Sequence, residues 1–277
     1  MTDRDALTRH YDHGDLLGSI ERGIEILGKT PESVTLDDLA AVDEFHIGGR
    51  QASIAFLDQM GLAAGQRLLD IGCGLGGPAR FVADHYDCLV TGIDLTAEYI
   101  EAGRVLCDWT GLADKVSLRQ CSALDMPLAD ASFDHAYMMH VGMNIEDKAG
   151  LCSEIHRLLR PGGCFGIFDV MRIGPGDLIF PVPWSSLAET SFVRSAEAYK
   201  TALQAAGFTV TTERNRRDFA LSFFERQKAK AAAAGGPPPL SLHLVMGERT
   251  SEKLGNLVAN IIANRVAPIE IIARKAP

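Results

Sequence analysis

The sequence has no excess of positive charge and no long apolar run. Its 27 Lys and Arg residues are outnumbered by 36 Asp and Glu residues, which gives a formal net charge of −9 at pH 7. Proteins that bind a phosphate backbone concentrate Lys and Arg on one face, so we expect no nucleic-acid partner. No apolar stretch approaches the roughly 20 residues of a membrane-spanning helix, and the first residues lack the basic-then-apolar profile of a secretory signal. We therefore expect a cytoplasmic protein without a membrane partner.

Paired cysteines and clustered histidines are also missing. The six cysteines show no CxxC spacing and are too sparse for a disulfide scaffold. Among the eight histidines, the closest pair is His10 and His13, and no second group of ligands lies nearby. We therefore expect reduced thiols and no metal site.

Short apolar runs that alternate with helical stretches are what the sequence does contain. The predicted strands are Leu68–Ile71, Cys88–Ile93, Val116–Gln120, His135–Met139, Cys164–Val170, Phe208–Glu213 and Ile269–Ala273. Predicted helices between them are Pro78–His85, Ala97–Thr110 and Asp147–Leu159, the last one ended by Arg160-Pro161-Gly162-Gly163. This alternation is typical of βαβ units. We predict an α/β fold with a doubly wound, mostly parallel, seven-stranded sheet.

Two further segments flank or interrupt this core. Residues 1–60 are predicted to form an N-terminal helical lid, with turns at Gly28–Pro31 and at Gly48-Gly49. The remaining domain, 61–277, then has a core over 67–217 and 266–277 and a helical insertion over 218–265. Insertions of this kind usually cap a site or form a subunit contact, so the sequence is compatible with a homo-oligomer.

The most informative local pattern is a strand that runs into a glycine-rich turn and then a helix, Leu68-Leu69-Asp70-Ile71-Gly72-Cys73-Gly74-Leu75-Gly76-Gly77-Pro78. Glycines let the backbone approach a ligand closely. The same glycines also match the GxGxxG pattern of dinucleotide-binding proteins. Asp70 favours a different ligand, because a carboxylate at this position repels the negative charge of a pyrophosphate and attracts a cation. The alternative is that Asp70 only stabilises the turn through hydrogen bonds.

A second acidic residue, Asp94, ends the next predicted strand, roughly 20 residues beyond the glycine turn. A carboxylate there can accept hydrogen bonds from both hydroxyls of a ribose. Asp94 therefore predicts nucleoside binding without choosing between an oxidoreductase that uses NAD and an enzyme that uses another adenosine cofactor.

Further motifs follow in a fixed order, and with them the chain resembles the class I S-adenosylmethionine-dependent methyltransferases. These motifs are Ser122-Ala123-Leu124-Asp125-Met126-Pro127, Ser132-Phe133-Asp134 and Leu158-Leu159-Arg160-Pro161-Gly162-Gly163. The flanking segments 45–50, 140–145 and 180–184 are similar to the small-molecule branch that contains sarcosine and dimethylglycine N-methyltransferases. The resemblance implies a Rossmann-like fold and S-adenosyl-L-methionine as the cofactor.

The resemblance and the chemistry of individual side chains together predict the site residues. The predicted cofactor-binding residues are Asp70, Gly72, Cys73, Gly74, Asp94, Leu95, Ser122, Ala123, His140 and Arg50, where Arg50 pairs with the methionyl carboxylate. Cys121-Ser122 replaces the family's usual Gly-Asp, so Ser122 or Asp125 is left to contact the adenine amino group. His140 is the candidate general base, with a loop-orienting role as its alternative. The predicted substrate-binding residues are His46, Met143, Asn144, Trp184 and Tyr11.

The expected reaction is methyl transfer to a small molecule, with an amine or amino-acid nitrogen as the leading acceptor. A C- or O-methyltransferase is the nearest alternative. From other classes, an NAD-dependent oxidoreductase and a non-catalytic protein that binds S-adenosylmethionine stay open.

Overall fold

The structure, a computed structural model, describes residues 14–234, 238–247 and 249–277. It begins with helices α1 (Leu16–Ile26), α2 (Leu36–Asp43) and α3 (Gly49–Leu57), followed by a 3-10 turn over Asp58–Met60. Thr35 starts α2 with a capping box, in which its hydroxyl accepts the Asp38 N–H at 3.3 Å and the Asp38 carboxylate accepts the Thr35 N–H at 2.9 Å. The predicted N-terminal helical segment is confirmed over its described part. Tyr11 lies outside the described residues.

The sheet has seven strands in the order β3-β2-β1-β4-β5-β7-β6. Their bounds are β1 (Arg67–Ile71), β2 (Leu89–Asp94), β3 (Val116–Gln120), β4 (Phe133–Met139), β5 (Leu159–Arg172), β6 (Phe208–Asn215) and β7 (Val266–Lys275). The first five strands pair in parallel, whereas β7 runs antiparallel to both β5 and β6. The predicted doubly wound, mostly parallel sheet is confirmed.

Four helices connect the strands: α4 (Gly77–His85), α5 (Ala97–Trp109), α6 (Lys148–Leu158) and α7 (Ala196–Ala205). Helix α6 ends at Leu158, as the Arg-Pro-Gly-Gly segment predicts. The same segment does not form a separate turn, however, because β5 already begins at Leu159, which pairs with Phe133. The register then shifts before Cys164 pairs with His135, so the segment forms an irregular, bulged start of the strand.

The helical insertion before the last strand is also present. It contains α8 (Arg217–Ala234), the short α9 (His243–Met246) and α10 (Thr250–Ile262). Phe219 on α8 packs where a Cβ on Gly48 would lie, and Gly48 has a left-handed φ of 101°. Only glycine meets both conditions easily, so this residue lets the insertion approach the N-terminal helices.

The sheet is buried on both faces, as is usual for parallel strands. Leu69 and Ile71 of β1 belong to one apolar layer, and Leu68 belongs to the opposite layer. Helices α6 and α7 cover the first layer, and α3, α4 and α5 cover the second. Burying one such side chain contributes about 1.5–3 kcal/mol, so this alternation holds the carboxyl ends of the strands in place.

Candidate active site

A cavity of about 850 Å³ lies at the carboxyl ends of β1, β2 and β4. Ligands of doubly wound folds bind at this edge of the sheet. Most of the predicted site residues line it, namely Asp70, Gly72, Cys73, Gly74, Asp94, Leu95, Ser122, Ala123, His140, His46, Met143, Asn144 and Trp184. No Lys or Arg is among the described lining residues, whereas Asp43, Asp70, Asp94, Glu146 and Asp147 are. The cavity wall therefore carries acidic groups without a basic one, and it suits a cationic ligand.

The glycine turn approaches the cavity with an open backbone. Gly72 and Gly74 have left-handed φ angles of 67° and 53°. A Cβ on Gly72 would overlap the Val141 side chain, whereas one on Gly74 would meet nothing closer than Tyr99, at 4.0 Å. Gly72 therefore lets the loop after β4 lie directly against the turn, and Gly74 leaves space above it.

Asp70 is a buried carboxylate at the end of β1, with 2% of its surface exposed. Neither its Oδ2 nor the nearby Tyr137 hydroxyl makes a hydrogen bond of good geometry within the described part of the chain. Burial raises the pKa of Asp70 to about 8, against the opposing effect of Tyr137. A buried carboxylate oxygen without a partner is costly unless a ligand pairs with it, so Asp70 marks a site for a cationic group.

Asp94 holds the glycine turn as well as facing the cavity. Its Oδ2 accepts the Gly74 N–H at 3.0 Å, and its Oδ1 accepts the Thr96 N–H at 2.9 Å. Burial raises the pKa of Asp94, and these backbone donors oppose that rise. Each carboxylate oxygen keeps a further lone pair, so two ribose hydroxyls have acceptors here.

The segment after β3 supplies the wall beyond Asp94. Cys121, Ser122, Ala123 and Leu124 line the cavity. The Ser122 hydroxyl accepts the Leu124 N–H at 3.2 Å. Of the two candidates for the adenine amino group, Ser122 therefore reaches the cavity, and Asp125 is not among the described lining residues.

His140 is held by backbone contacts on both ring nitrogens. Nδ1 lies 3.1 Å from the Phe168 carbonyl oxygen, and Nε2 lies 3.4 Å from the Ile47 N–H nitrogen. Burial, with a smaller effect from His46, lowers the pKa of His140 to about 3. These contacts favour the loop-orienting alternative over the role of general base.

Behind the cavity wall, Glu44 contacts three polar side chains, those of Arg50, Ser53 and His46. Only 2% of Glu44 is exposed, and its carboxylate accepts hydrogen bonds from Arg50 and from the Ser53 hydroxyl. Arg50 also stacks on Phe81, with its guanidinium carbon 4.4 Å from the ring centre. The structure therefore does not bring Arg50 to the cavity, because the guanidinium is already committed to Glu44. Of this group, His46 does reach the cavity.

A buried polar cluster orients the loop after β4. Asp169 accepts the Val141 and Gly142 N–H groups at 2.9 and 3.1 Å and the Tyr199 hydroxyl at 2.8 Å. Lys148 Nζ donates to the carbonyls of Gly142 and Phe192 at 2.8 and 3.1 Å. Burial lowers the pKa of Lys148 to about 8. Met143 and Asn144, the predicted substrate residues, lie on the loop that this cluster holds.

Part of the cavity wall is apolar, and we call the residues of this part the apolar half. Its lining residues are Met143, Ile145, Trp184, Leu187, Phe192, Phe223, Phe224, Leu254 and Leu257. Trp184 is 3% exposed, and its indole N–H donates to Ser191 Oγ at 2.9 Å, which fixes the ring. Phe223, Phe224, Leu254 and Leu257 come from the insertion, so helices α8 and α10 supply part of this wall.

Several lining residues were not predicted from the sequence, and Asp43 is the buried acidic residue among them. Its Oδ2 accepts a hydrogen bond from the fully buried Arg80, whereas its Oδ1 has no partner among the described residues. Burial raises the pKa of Asp43 to about 6. Its position depends on α2 packing against Gly77, where a Cβ would overlap Asp43. No local sequence signal predicts that contact, because the two elements are far apart in the chain.

These features fit S-adenosyl-L-methionine. Asp70 would pair with the methionyl ammonium, the glycine turn would lie against the methionyl chain, and Asp94 would hold the ribose. In the described part of the chain, no group of three or more His, Cys, Asp and Glu side chains is arranged to hold a metal ion. Nor does any described helix combine the length and hydropathy needed to cross a membrane.

Comparisons with known proteins agree with this fit. Residues 69–167 match the model of the methyltransferase domain family. An O-methyltransferase of Pyrenophora dematioidea is 30% identical over 204 residues, which cover 72% of this chain and 74% of that protein. The chain belongs to the S-adenosylmethionine-dependent methyltransferase family. The oxidoreductase interpretation of the glycine turn is thereby excluded.

Solved structures show the same fold. A geranyl diphosphate C-methyltransferase from Streptomyces coelicolor superposes with a TM-score of 0.73 at 18% identity, covering 100% of this chain and 98% of that one. A Galdieria sulphuraria protein provisionally named a sarcosine dimethylglycine methyltransferase gives a TM-score of 0.63 at 18% identity, covering 82% and 84%. The chain therefore shares its fold with proteins that are named for methyl acceptors of different kinds.

Proposed function

We propose that this enzyme transfers the methyl group of S-adenosylmethionine to a small, largely apolar acceptor that carries no carboxylate. The methylated atom is a hydroxyl oxygen or the nitrogen of an apolar amine. The observation that carries this proposal is that one cavity is lined both by the buried acidic residues Asp70 and Asp94 and by the apolar half.

The apolar half supports this acceptor class by what its wall offers. Aromatic and aliphatic side chains bury an apolar molecule favourably. No residue of the apolar half is a Lys or Arg, so the carboxylate of an amino acid or the phosphate of a lipid precursor would enter this part of the cavity without a cationic partner. Desolvating such an anion without a partner costs several kcal/mol. The proposal therefore removes amino acids from the leading sequence-based expectation, keeps apolar amines, and takes in the O-methyltransferase alternative.

Methyl transfer from a sulfonium requires of the protein mainly that it align the acceptor with the methyl group. S-adenosylmethionine, when bound, supplies a methyl group on a sulfonium, which is already activated. The residues of this chain bind and orient the two reactants and exclude water, which are the main contributions to such a reaction. Trp184, fixed by Ser191, and the loop held by Asp169 define the position of the acceptor.

The test is transfer of labelled methyl from S-adenosylmethionine to 1-naphthol, 1-naphthylamine and sarcosine under matched conditions. We expect labelled product with one or both naphthalene acceptors and none with sarcosine. An Asp94→Ala variant serves as the control for cofactor-dependent transfer. Labelling of sarcosine but of neither naphthalene compound would contradict the proposed acceptor class.

A further inference from the structure

The two ring nitrogens of His46 have different surroundings. Nε2 lies 3.3 Å from the Gly49 carbonyl oxygen, 3.0 Å from Ser53 Oγ and 3.4 Å from a Glu44 carboxylate oxygen. The carbonyl oxygen and the carboxylate oxygen can only accept a hydrogen bond from the ring. Ser53 Oγ is an acceptor as well, because the Ser53 hydroxyl donates its own hydrogen to Glu44. Nε2 must therefore carry the hydrogen of the neutral ring, which leaves a lone pair on Nδ1.

Nδ1 of His46 faces no competing partner. No described residue makes a hydrogen bond to it. His46 lines the cavity, although only 2% of its side chain is exposed. A lone pair without a protein partner, on a ring that lines a cavity, is what a proton acceptor requires.

His46 has neighbours in both parts of the cavity wall. Its ring centre is 6.1 Å from that of His140, which directly precedes Val141 beside the glycine turn. The next residue in the chain, Ile47, packs in one apolar cluster with Met143 and Trp184 of the apolar half. The ring is therefore close to the glycine turn, and the residue that follows it packs with the apolar half.

The Glu44 carboxylate is placed to stabilise the protonated form of His46. An imidazolium that forms at Nδ1 would have the Glu44 carboxylate beside its other nitrogen, which is the arrangement of a histidine base and its orienting carboxylate. Burial lowers the pKa of His46, while Glu44 opposes this shift and Arg50 adds to it. The ring is consequently a free base at neutral pH.

His140 provides the contrast. Its Nδ1 faces a carbonyl oxygen and its Nε2 faces an N–H group, so its neutral ring carries the hydrogen on Nδ1 and both nitrogens are engaged. Its geometry suits a positioning residue.

We propose that His46, oriented by Glu44, is the catalytic base that removes the proton of the acceptor. This inference rests on the proposed function, because it requires an acceptor with an O–H or N–H group. The new bond joins the acceptor atom to the methyl carbon, the carbon–sulfur bond breaks with its electron pair left on sulfur, and the proton passes to Nδ1 of His46. Solvent takes that proton when the product leaves.

The first test needs no acceptor. Long-range ¹H–¹⁵N correlation spectra of the full chain with S-adenosylhomocysteine at neutral pH report which nitrogen of each histidine is protonated. Comparison with His46→Gln assigns the His46 signals. We expect the Nε2–H tautomer for His46 and the Nδ1–H tautomer for His140. A His46 ring that is protonated at Nδ1 would overturn the proposal.

The second test is turnover of the naphthalene acceptors. His46→Gln keeps an N–H donor toward Glu44 and loses the basic nitrogen, so kcat should fall roughly 100-fold or more while the affinity for S-adenosylhomocysteine changes little. The acidic limb of the pH–rate profile should disappear as well. His85→Gln, on the exposed side of α4, is the matched control and should keep wild-type activity.

The outcomes separate the two proposals. A larger loss of kcat in His140→Asn than in His46→Gln would overturn the assignment of the base. Wild-type enzyme that methylates neither naphthalene compound would contradict the acceptor class, and the tautomer of His46 would then decide the inference alone.

Discussion

At the scale of the residue, Asp70 is expected to couple cofactor binding to the release of a proton. Its pKa rises from 3.8 to about 8 because the carboxyl group is buried. In the folded protein without cofactor it is therefore mostly protonated at pH 7, whereas in the unfolded chain it is ionised. The folded state binds the extra proton between pH 3.8 and about 8, so this group makes the free protein less stable as the pH rises through that window.

Binding of a cationic ligand should reverse this protonation. An ammonium beside Asp70 lowers the pKa of the carboxyl group, so S-adenosylhomocysteine should release a proton at pH 7. Calorimetric titration in phosphate and in Tris, which differ in ionisation heat, measures that proton. Asp70→Asn should remove the difference and weaken binding roughly 10- to 100-fold, equivalent to about 1.5–3 kcal/mol. Equal heats in both buffers for the wild type would argue against the pairing.

Gly72 tests the close approach of the turn to the loop after β4. Gly72→Ala places a methyl group against Val141 at a left-handed φ of 67°, so we expect a loss of about 1–3 kcal/mol in the free energy of unfolding and weakened cofactor binding. Gly111→Ala is the matched control, because Gly111 has a φ of 68° but nothing within 4 Å of the added methyl. A control that loses cofactor affinity equally would show that the overlap with Val141 is not the cause.

At the scale of the element, the loop after β4 is held by β5 and α7. Tyr199→Phe removes the hydroxyl that donates to Asp169 at 2.8 Å, and we expect a loss of about 0.5–1.5 kcal/mol in stability together with reduced kcat. Thermal unfolding and turnover of 1-naphthol measure these effects. Tyr86→Phe, which removes an exposed hydrogen bond to Asp58 at 2.8 Å, should leave kcat unchanged. If both variants behave alike, the cluster does not position the loop.

At the scale of the whole molecule, the insertion completes a site that the core begins. Phe223 and Phe224 on α8 line the apolar half, far along the chain from the glycine turn. Phe223→Ala and Phe224→Ala should raise the KM for 1-naphthol while the affinity for S-adenosylhomocysteine stays close to wild type. Gln227→Ala, on the exposed end of the same helix, should change neither quantity. A variant that loses only cofactor affinity would show that these side chains contact the cofactor and not the acceptor.

The cofactor end of the site was largely predictable. Asp70, the glycine turn and Asp94 follow strands whose apolar runs are visible in the sequence, and parallel strands bring their carboxyl ends to one edge. The prediction for Arg50 differed from the structure because its partner, Glu44, has no sequence signature. Asp43 was not identified for the same reason: its burial depends on Arg80 and Gly77, which belong to another helix.

The sequence by itself determined the order and approximate bounds of the strands and the class of fold, because those properties depend on local periodicity and on turn residues, which are short-range. The cofactor followed from the resemblance of its ordered motifs to the methyltransferase family. Only the tertiary structure decided that acidic residues and the apolar half line one cavity, and which histidine keeps a lone pair without a protein partner. Both depend on hydrogen bonds and packing between segments distant in the chain, since His46 and His140 have the same side chain and differ only in their neighbours.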